Sequence, residues 1–167
     1  VSCLENSELR YVKLPRLPSD MVAVVAVPDF KVSTEEARNA LPRKVPLEDA
    51  VFNISRAALL AASWATGKFD NLPWGMSDRI HQPFRSRLFP GGEALLDQVS
   101  RIPDCSGIAI SGSGPSVIAF ANGSGSSVAK YMCSVFSKHG LRSRFFVLDE
   151  DYQGATLEAL SRSTVRR

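Results

Sequence analysis

The sequence predicts an α+β domain, a mostly antiparallel sheet with helices on one face. Two observations carry this. Short runs rich in β-branched residues alternate with segments of helical period. Several connections between them are of hairpin length, and no repeat or linker divides the chain.

Residues 7–14 read as an edge strand with Leu9, Tyr11 and the stem of Lys13 on one face, broken by Pro15 and Pro18. Met21 to Val27 is continuously apolar, which suits a strand buried on both faces. Ser33-Thr34-Glu35-Glu36 opens a helix. The Ser33 hydroxyl can accept from the Glu36 amide while the Glu36 side chain reaches back, the capping box. That helix runs to about Leu41 and stops before Pro42.

A longer helix starts at Pro46 and ends at Gly67. Leu47, Ala50, Val51, Ile54, Ala58, Ala61, Ala62 and Ala65 line one face, and their small size predicts close packing on a sheet or helix. Short helices are expected near Ser77–Ile80 and Glu93–Arg101. Gly107–Ile110 and Val117–Ala121 read as strands around a Gly-rich turn. Ser126 to His139 reads as a helix burying Val128, Met132, Val135, Phe136 and His139, with Gly140 after it. Arg142 to Leu148 is the last strong strand. Residues 155–160 fit a short helix or a strand. The expected division is a junction remnant and edge strand over 1–20, one domain over 21–154, and a C-terminal segment with a basic tail over 155–167.

Composition excludes several classes. The net charge is +3, and residues 161–167 alone hold three arginines and no acid, so the rest sums to zero. Basicity is therefore a property of the tail and makes no case for nucleic acid. No apolar run reaches the roughly 18 residues of a membrane span. The start resembles no signal peptide, which together with Cys3, Cys105 and Cys133 as free thiols leads to the expectation of a cytoplasmic protein. No Cys-x-x-Cys pair suggests zinc or redox chemistry. No carboxylate pair stands out as a metal site.

Three stretches could carry chemistry. Thr34 and Arg38 are four apart and share a face at a helix N-terminus, where a hydroxyl, a guanidinium and free N–H groups could hold a phosphate or carboxylate. The spacing by itself favours a plain capped surface helix with an exposed Arg38. In His81-Gln82-Pro83-Phe84-Arg85, proline and phenylalanine could aim Arg85 at a carboxylate. His81 is a candidate base or a packing residue. Ser111-Gly112-Ser113-Gly114-Pro115-Ser116 could bring backbone close to an anion, or could be a tight hairpin. There is no phosphate loop of the Gly-x-x-x-x-Gly-Lys type and no dinucleotide fingerprint.

In order and spacing, Val27-Pro28-Asp29, STEEAR (33–38), Leu41-Pro42, DAVFNISRAALL (49–60), HQPFR (81–85) and SGSGPS (111–116) resemble the homoserine kinases of the GHMP kinase superfamily. The resemblance spans about residues 20–150. SGSGPS marks the superfamily, and STEEAR with HQPFR points to the homoserine branch. The resemblance implies a ferredoxin-like C-terminal domain of an enzyme that phosphorylates the homoserine hydroxyl with ATP and Mg2+, in threonine biosynthesis. It implies that Thr34 lies near the transferred phosphoryl group. Arg38 and Arg85, with His81 near them, would bind homoserine, chiefly its carboxylate. Ser111 to Ser116 would support the substrate and phosphate region.

In that family the nucleotide loop and the magnesium-binding acid come from an N-terminal half, and neither stretch occurs in this sequence. The chain alone is therefore expected to be inactive, with that half as its partner. A sheet edge left open would favour association of copies, a homodimer included. Another GHMP kinase, acting on mevalonate-pathway compounds or sugars, is disfavoured by the two arginines. A ferredoxin-like small-molecule-binding or regulatory module is the alternative from a different class.

Overall fold

The computed structural model describes residues 1–153, 156 and 157. Its centre is a four-stranded sheet of β3 (Met21–Pro28), β4 (Cys105–Ile110), β5 (Val117–Asn122) and β6 (Ser143–Leu148). The spatial order is β4-β5-β3-β6, and every neighbouring pair is antiparallel. The apolar run of β3 lies inside the sheet, paired on both sides, as a strand without polar alternation requires.

One face carries the core. Val24 and Ala26 of β3, Ile108 and Ile110 of β4, and Val117, Ala119 and Ala121 of β5 point to the same side. They meet α5 (Gly92–Val99) through Leu95 and Val99, and α6 (Ser126–Lys138) through Val128, Met132, Val135 and Phe136. Most of these side chains are wholly buried, each contributing about 1.5–3 kcal/mol. The predicted antiparallel α+β architecture is present.

The expectation of helices on one face needs extending. The long helix α2 (Leu47–Thr66) and the short α3 (Leu72–Gly75) approach the sheet from the opposite side. There Trp64 meets Phe120 edge-on, at 5.3 Å between centroids. Gly107 of β4 lies directly beneath Met76 and Leu72, where any side chain would collide with Met76 Sδ.

The apolar face expected to be packed in α2 is open. Leu47, Val51 and Ile54 are 80%, 57% and 69% exposed, and Ala58, Ala62 and Ala65 are exposed beside them. Helical period marks an apolar stripe but not which neighbour covers it. The close approach occurs on another face of the helix, where Leu60 abuts Gly75 of α3.

Other boundaries shift for local reasons. The capping box of α1 (Thr34–Asn39) forms as expected, with Glu36 N donating to Ser33 Oγ and Ser33 N to Glu36 Oε2. Ser77–Ile80 is not helical, because Asp78 turns the chain there. A helical turn, α4 (Gln82–Arg85), follows instead. His139 is exposed rather than buried, its Nδ1 lying 2.9 Å from the Val135 carbonyl.

The strand expected over 7–14 is β2 (Glu8–Tyr11). It pairs with β1 (Ser2–Glu5) in a separate two-stranded ribbon, turned by Asn6 and Ser7 at positive φ. Most of the segment 155–160 and all of the basic tail lie outside the described residues. Among the described residues, no helix is long and apolar enough to cross a membrane.

Candidate functional site

Arg85 joins the three sequence stretches. It leaves the C-terminal end of α4, where its Nε donates to the carbonyl of Ala37 in α1 at 3.3 Å. Its Nη1 donates to the carbonyl of Gly112 in the Gly-rich turn at 3.1 Å. The guanidinium plane thus bridges STEEAR and SGSGPS, and Nη2 has no protein partner among the described residues. A rigid planar fork is the side chain suited to this task.

The Gly-rich turn is a built hairpin. Ser111 N donates to Ser116 O and Gly114 N to Ser111 O, at 2.8 and 3.1 Å. Gly112 and Gly114 adopt φ of 62° and 85°, a region costly for other residues. Gly114 also lies against Ile110 and Phe89, so a side chain there would be both strained and crowded. The Gly114–Pro115 bond is cis and Pro115 is buried, while Gly112 is exposed. Ser113 Oγ bonds within the turn to Gly114 O at 3.4 Å.

Thr34 and Arg38 lie exposed on α1 with no side-chain partner among the described residues. An exposed guanidinium, that of Arg38, thus follows in the chain directly on Ala37, the residue whose carbonyl Arg85 holds. That arrangement suits a ligand with a carboxylate or phosphate group.

His81 is turned elsewhere. Its Nε2 lies 3.6 Å from Asp78 Oδ1, and its Nδ1 is buried without a partner. It lines a cavity of about 280 Å3 with Asn53, Arg56, Asp78 and Gln82.

Asp78 and Gln82 carry the support that sequence reading did not assign. The Asp78 side chain is only 5% exposed. It accepts from Asn53 Nδ2 and from the backbone amides of His81 and Gln82. Gln82, itself buried, donates to Met76 O at 3.0 Å and accepts from Ile110 N at 2.9 Å. It thereby ties α4 to the end of β4, one residue before the Gly-rich turn. The signal for Asp78 was present in the sequence, an acid three residues before His81 where a tight turn begins.

Both titratable groups here are shifted. Burial works to raise the Asp78 pKa, but hydrogen bonds from Asn53, Gln82 and His81, with the charge of His81, outweigh it and hold the carboxyl below its ordinary 3.8. Burial lowers the His81 pKa from 6.5. The Asp78 charge opposes that shift and Arg85 adds to it. In both cases the unfolded state binds more protons, so stability is complete above the unfolded values and falls with pH. The urea midpoint of the chain is expected to drop first as pH falls through 6.5, then again below 3.8. His81→Asn is expected to flatten the first step and to leave most of the second, which rests chiefly on the hydrogen bonds from Asn53 and the backbone amides. An unchanged first step would remove His81 as its source.

Glu36 is engaged in the capping box and Asp78 in backbone hydrogen bonds. Among the described residues, no three His, Cys, Asp or Glu side chains cluster suitably for a metal ion. No step is therefore assigned to magnesium on this chain.

The model for "GHMP kinases C terminal" matches residues 57–138. Homoserine kinase of Persephonella marina is 36% identical over 160 residues, covering 96% of this chain and 53% of that protein. The chain belongs to the GHMP kinases, as a C-terminal domain of the homoserine kinase branch. Homoserine kinase of Moorella thermoacetica is 45% identical over 126 residues, 75% of this chain and 42% of that protein. Among solved structures, a homoserine kinase from Cytophaga hutchinsonii superposes with a TM-score of 0.72 at 29% identity, over 83% of this chain and 44% of that one. A putative homoserine kinase from Listeria monocytogenes, at 19% identity and a TM-score of 0.57, shares the fold. The chain spans about half the length of the GHMP kinase relatives it matches.

Proposed function

We propose that this chain is the substrate-positioning half of an ATP-dependent homoserine kinase, the whole protein transferring a phosphoryl group to the homoserine side-chain hydroxyl. The observation that carries the reading is Arg85, bonded to both Ala37 O and Gly112 O beside Arg38. Arg38 and the unbonded Nη2 of Arg85 hold the substrate carboxylate. Thr34 stands near the transferred group. The turn Ser111–Ser116 closes the site. His81 acts indirectly, through Asp78 and the seating of α4. Such a site works by placing the hydroxyl and stabilising charge rather than by strong acid–base chemistry.

ATP is gripped on an N-terminal half, with magnesium beside it. The open stripe of Leu47, Val51 and Ile54 on α2 and the exposed β1–β2 ribbon are the surfaces that half would cover. Residues 1–20 then belong to the junction, and 21–154 to the C-terminal domain.

The test is ATP-dependent formation of O-phosphohomoserine by the whole gene product, followed by phosphorus NMR, with mevalonate and galactose as competing acceptors. Homoserine is expected to be the preferred acceptor, and the 167-residue chain alone is expected to be inactive. Arg38→Ala in the whole protein is expected to raise KM for homoserine by about tenfold to hundredfold, the loss of one charge-assisted contact. Preference for another acceptor, or turnover by the 167-residue chain alone, would overturn the reading.

A further inference from the structure

We propose that Asn53 of α2 is a positioning residue for Arg85, a polarised link that sets where α4 and its guanidinium stand. The inference rests on the reading of Arg85 as a homoserine contact and extends it to a residue on another element. Asp49, Phe52, Asn53 and Arg56 of DAVFNISRAALL fall at intervals of three and four along α2 and so share one face. That face meets the turn before α4. Arg79 Nη1 lies 3.5 Å from Asp49 Oδ1, and the Arg79 guanidinium stands 4.1 Å from the centroid of the Phe52 ring. Arg56 lies 4.5 Å from the same centroid.

Asn53 takes the backbone of that turn. Its Oδ1 accepts from Arg79 N at 2.9 Å, and its Nδ2 donates to Asp78 Oδ1. The other carboxylate oxygen, Asp78 Oδ2, accepts from the amides of His81 and Gln82. Gln82 Oε1 in turn accepts from Ile110 N, just before the Gly-rich turn. Each of these bonds joins two described residues, so the relay is closed within the chain itself. It runs with one polarity. A backbone N–H can only donate and a carboxylate can only accept, so the side chain between Arg79 and Asp78 must present an acceptor and a donor side by side. Asparagine does, and the isosteric aspartate and leucine do not. α2 is held elsewhere, by Leu60 against Gly75 of α3 and by Trp64 against Phe120 of β5. Asn53 is left to fix the register of Asp78 and Arg79, directly ahead of His81 and α4.

The experiment exchanges the pair in the whole gene product. Asn53→Asp sets two carboxylates against each other and is expected to raise KM for homoserine about tenfold, with KM for ATP within about twofold of wild type. A change that merely weakened the fold would lower the active fraction and leave KM for homoserine where it was. In Asn53→Asp with Asp78→Asn the polarity reverses. Position 53 then accepts both from Arg79 N and from the amide at position 78, whose oxygen still accepts from His81 and Gln82. That double variant is expected to return KM for homoserine to within about threefold of wild type. Amide exchange at Ile110 reads the same relay without the reaction. It is expected to quicken at least about tenfold in Asn53→Asp and to slow again in the double variant. If wild type transfers nothing to homoserine, the phosphotransfer reading falls, and the Ile110 exchange alone decides the positioning role. If Asn53→Asp does not fold, Asn53→Ala, which adds no charge, takes its place with the same expected rise in KM and in exchange. An unchanged KM for homoserine in the folded single variant, both KM values rising together, no recovery in the double variant, or Ile110 exchange indifferent to the substitutions would each overturn the proposal.

Discussion

Replacing Asp78 by alanine is expected to destabilise the chain by about 3 kcal/mol, although no substrate contact is assigned to this residue. Its carboxylate serves three donors at once, Asn53 Nδ2 and the amides of His81 and Gln82. Removing the acceptor strands all three in a partly buried setting, where each unpaired donor costs about 1–3 kcal/mol. Asp78→Asn keeps one acceptor oxygen and is expected to lose less. The effect should travel. The Gln82 amide sits on Asp78, the Gln82 side chain holds Ile110 N, and Arg85 lies one turn further along α4. In the whole enzyme, Asp78→Ala is therefore expected to lower kcat/KM for homoserine even at temperatures where it remains folded. Urea unfolding and steady-state kinetics on the same preparations check both parts. A variant as stable as wild type would show that water replaces the carboxylate at no cost.

Arg85→Ala is expected to have the largest effect on substrate use. It removes the bridge between Ala37 and Gly112 and the proposed carboxylate contact together. Loss of a charge-assisted hydrogen bond weakens binding by about 1.5–3 kcal/mol, or roughly tenfold to hundredfold in KM. Arg85→Lys keeps the charge, but a single ammonium lacks the planar fork that reaches two carbonyls and a ligand. It should recover only part of the loss. An unchanged KM with reduced kcat would leave Arg85 as a positioning residue for the turn and remove its carboxylate role.

Local chemistry made much of the fold legible. β3 was readable because an unbroken β-branched run fits an interior strand. α1 was readable because Ser33 and Glu36 cap one another through side chains three residues apart. α6 was readable from its buried spacing, except at His139, which falls past the last helical turn. The Gly-rich turn was readable because its two glycines are the residues that adopt positive φ at little cost.

Readings that depended on a distant neighbour fared differently. The α2 stripe kept its helical period but lies open, because period records that a face is apolar and says nothing about what meets it. Asp78 went unassigned because its worth lies in donors from α2 and α4, which meet only in the folded chain. HQPFR suggested a substrate role for His81, whereas the fold turns its imidazole toward Asp78 and leaves Arg85 on the side of the glycine turn.

The sequence by itself determined the α+β class, the main strand and helix segments and the family, since these rest on period, capping and motif order within short windows. Only the tertiary structure decided that one guanidinium ties STEEAR to SGSGPS, and that Asp78 and Gln82 hold α4 in place. Those facts depend on contacts between residues far apart in the chain, and geometry of that kind exists only once the sheet has closed.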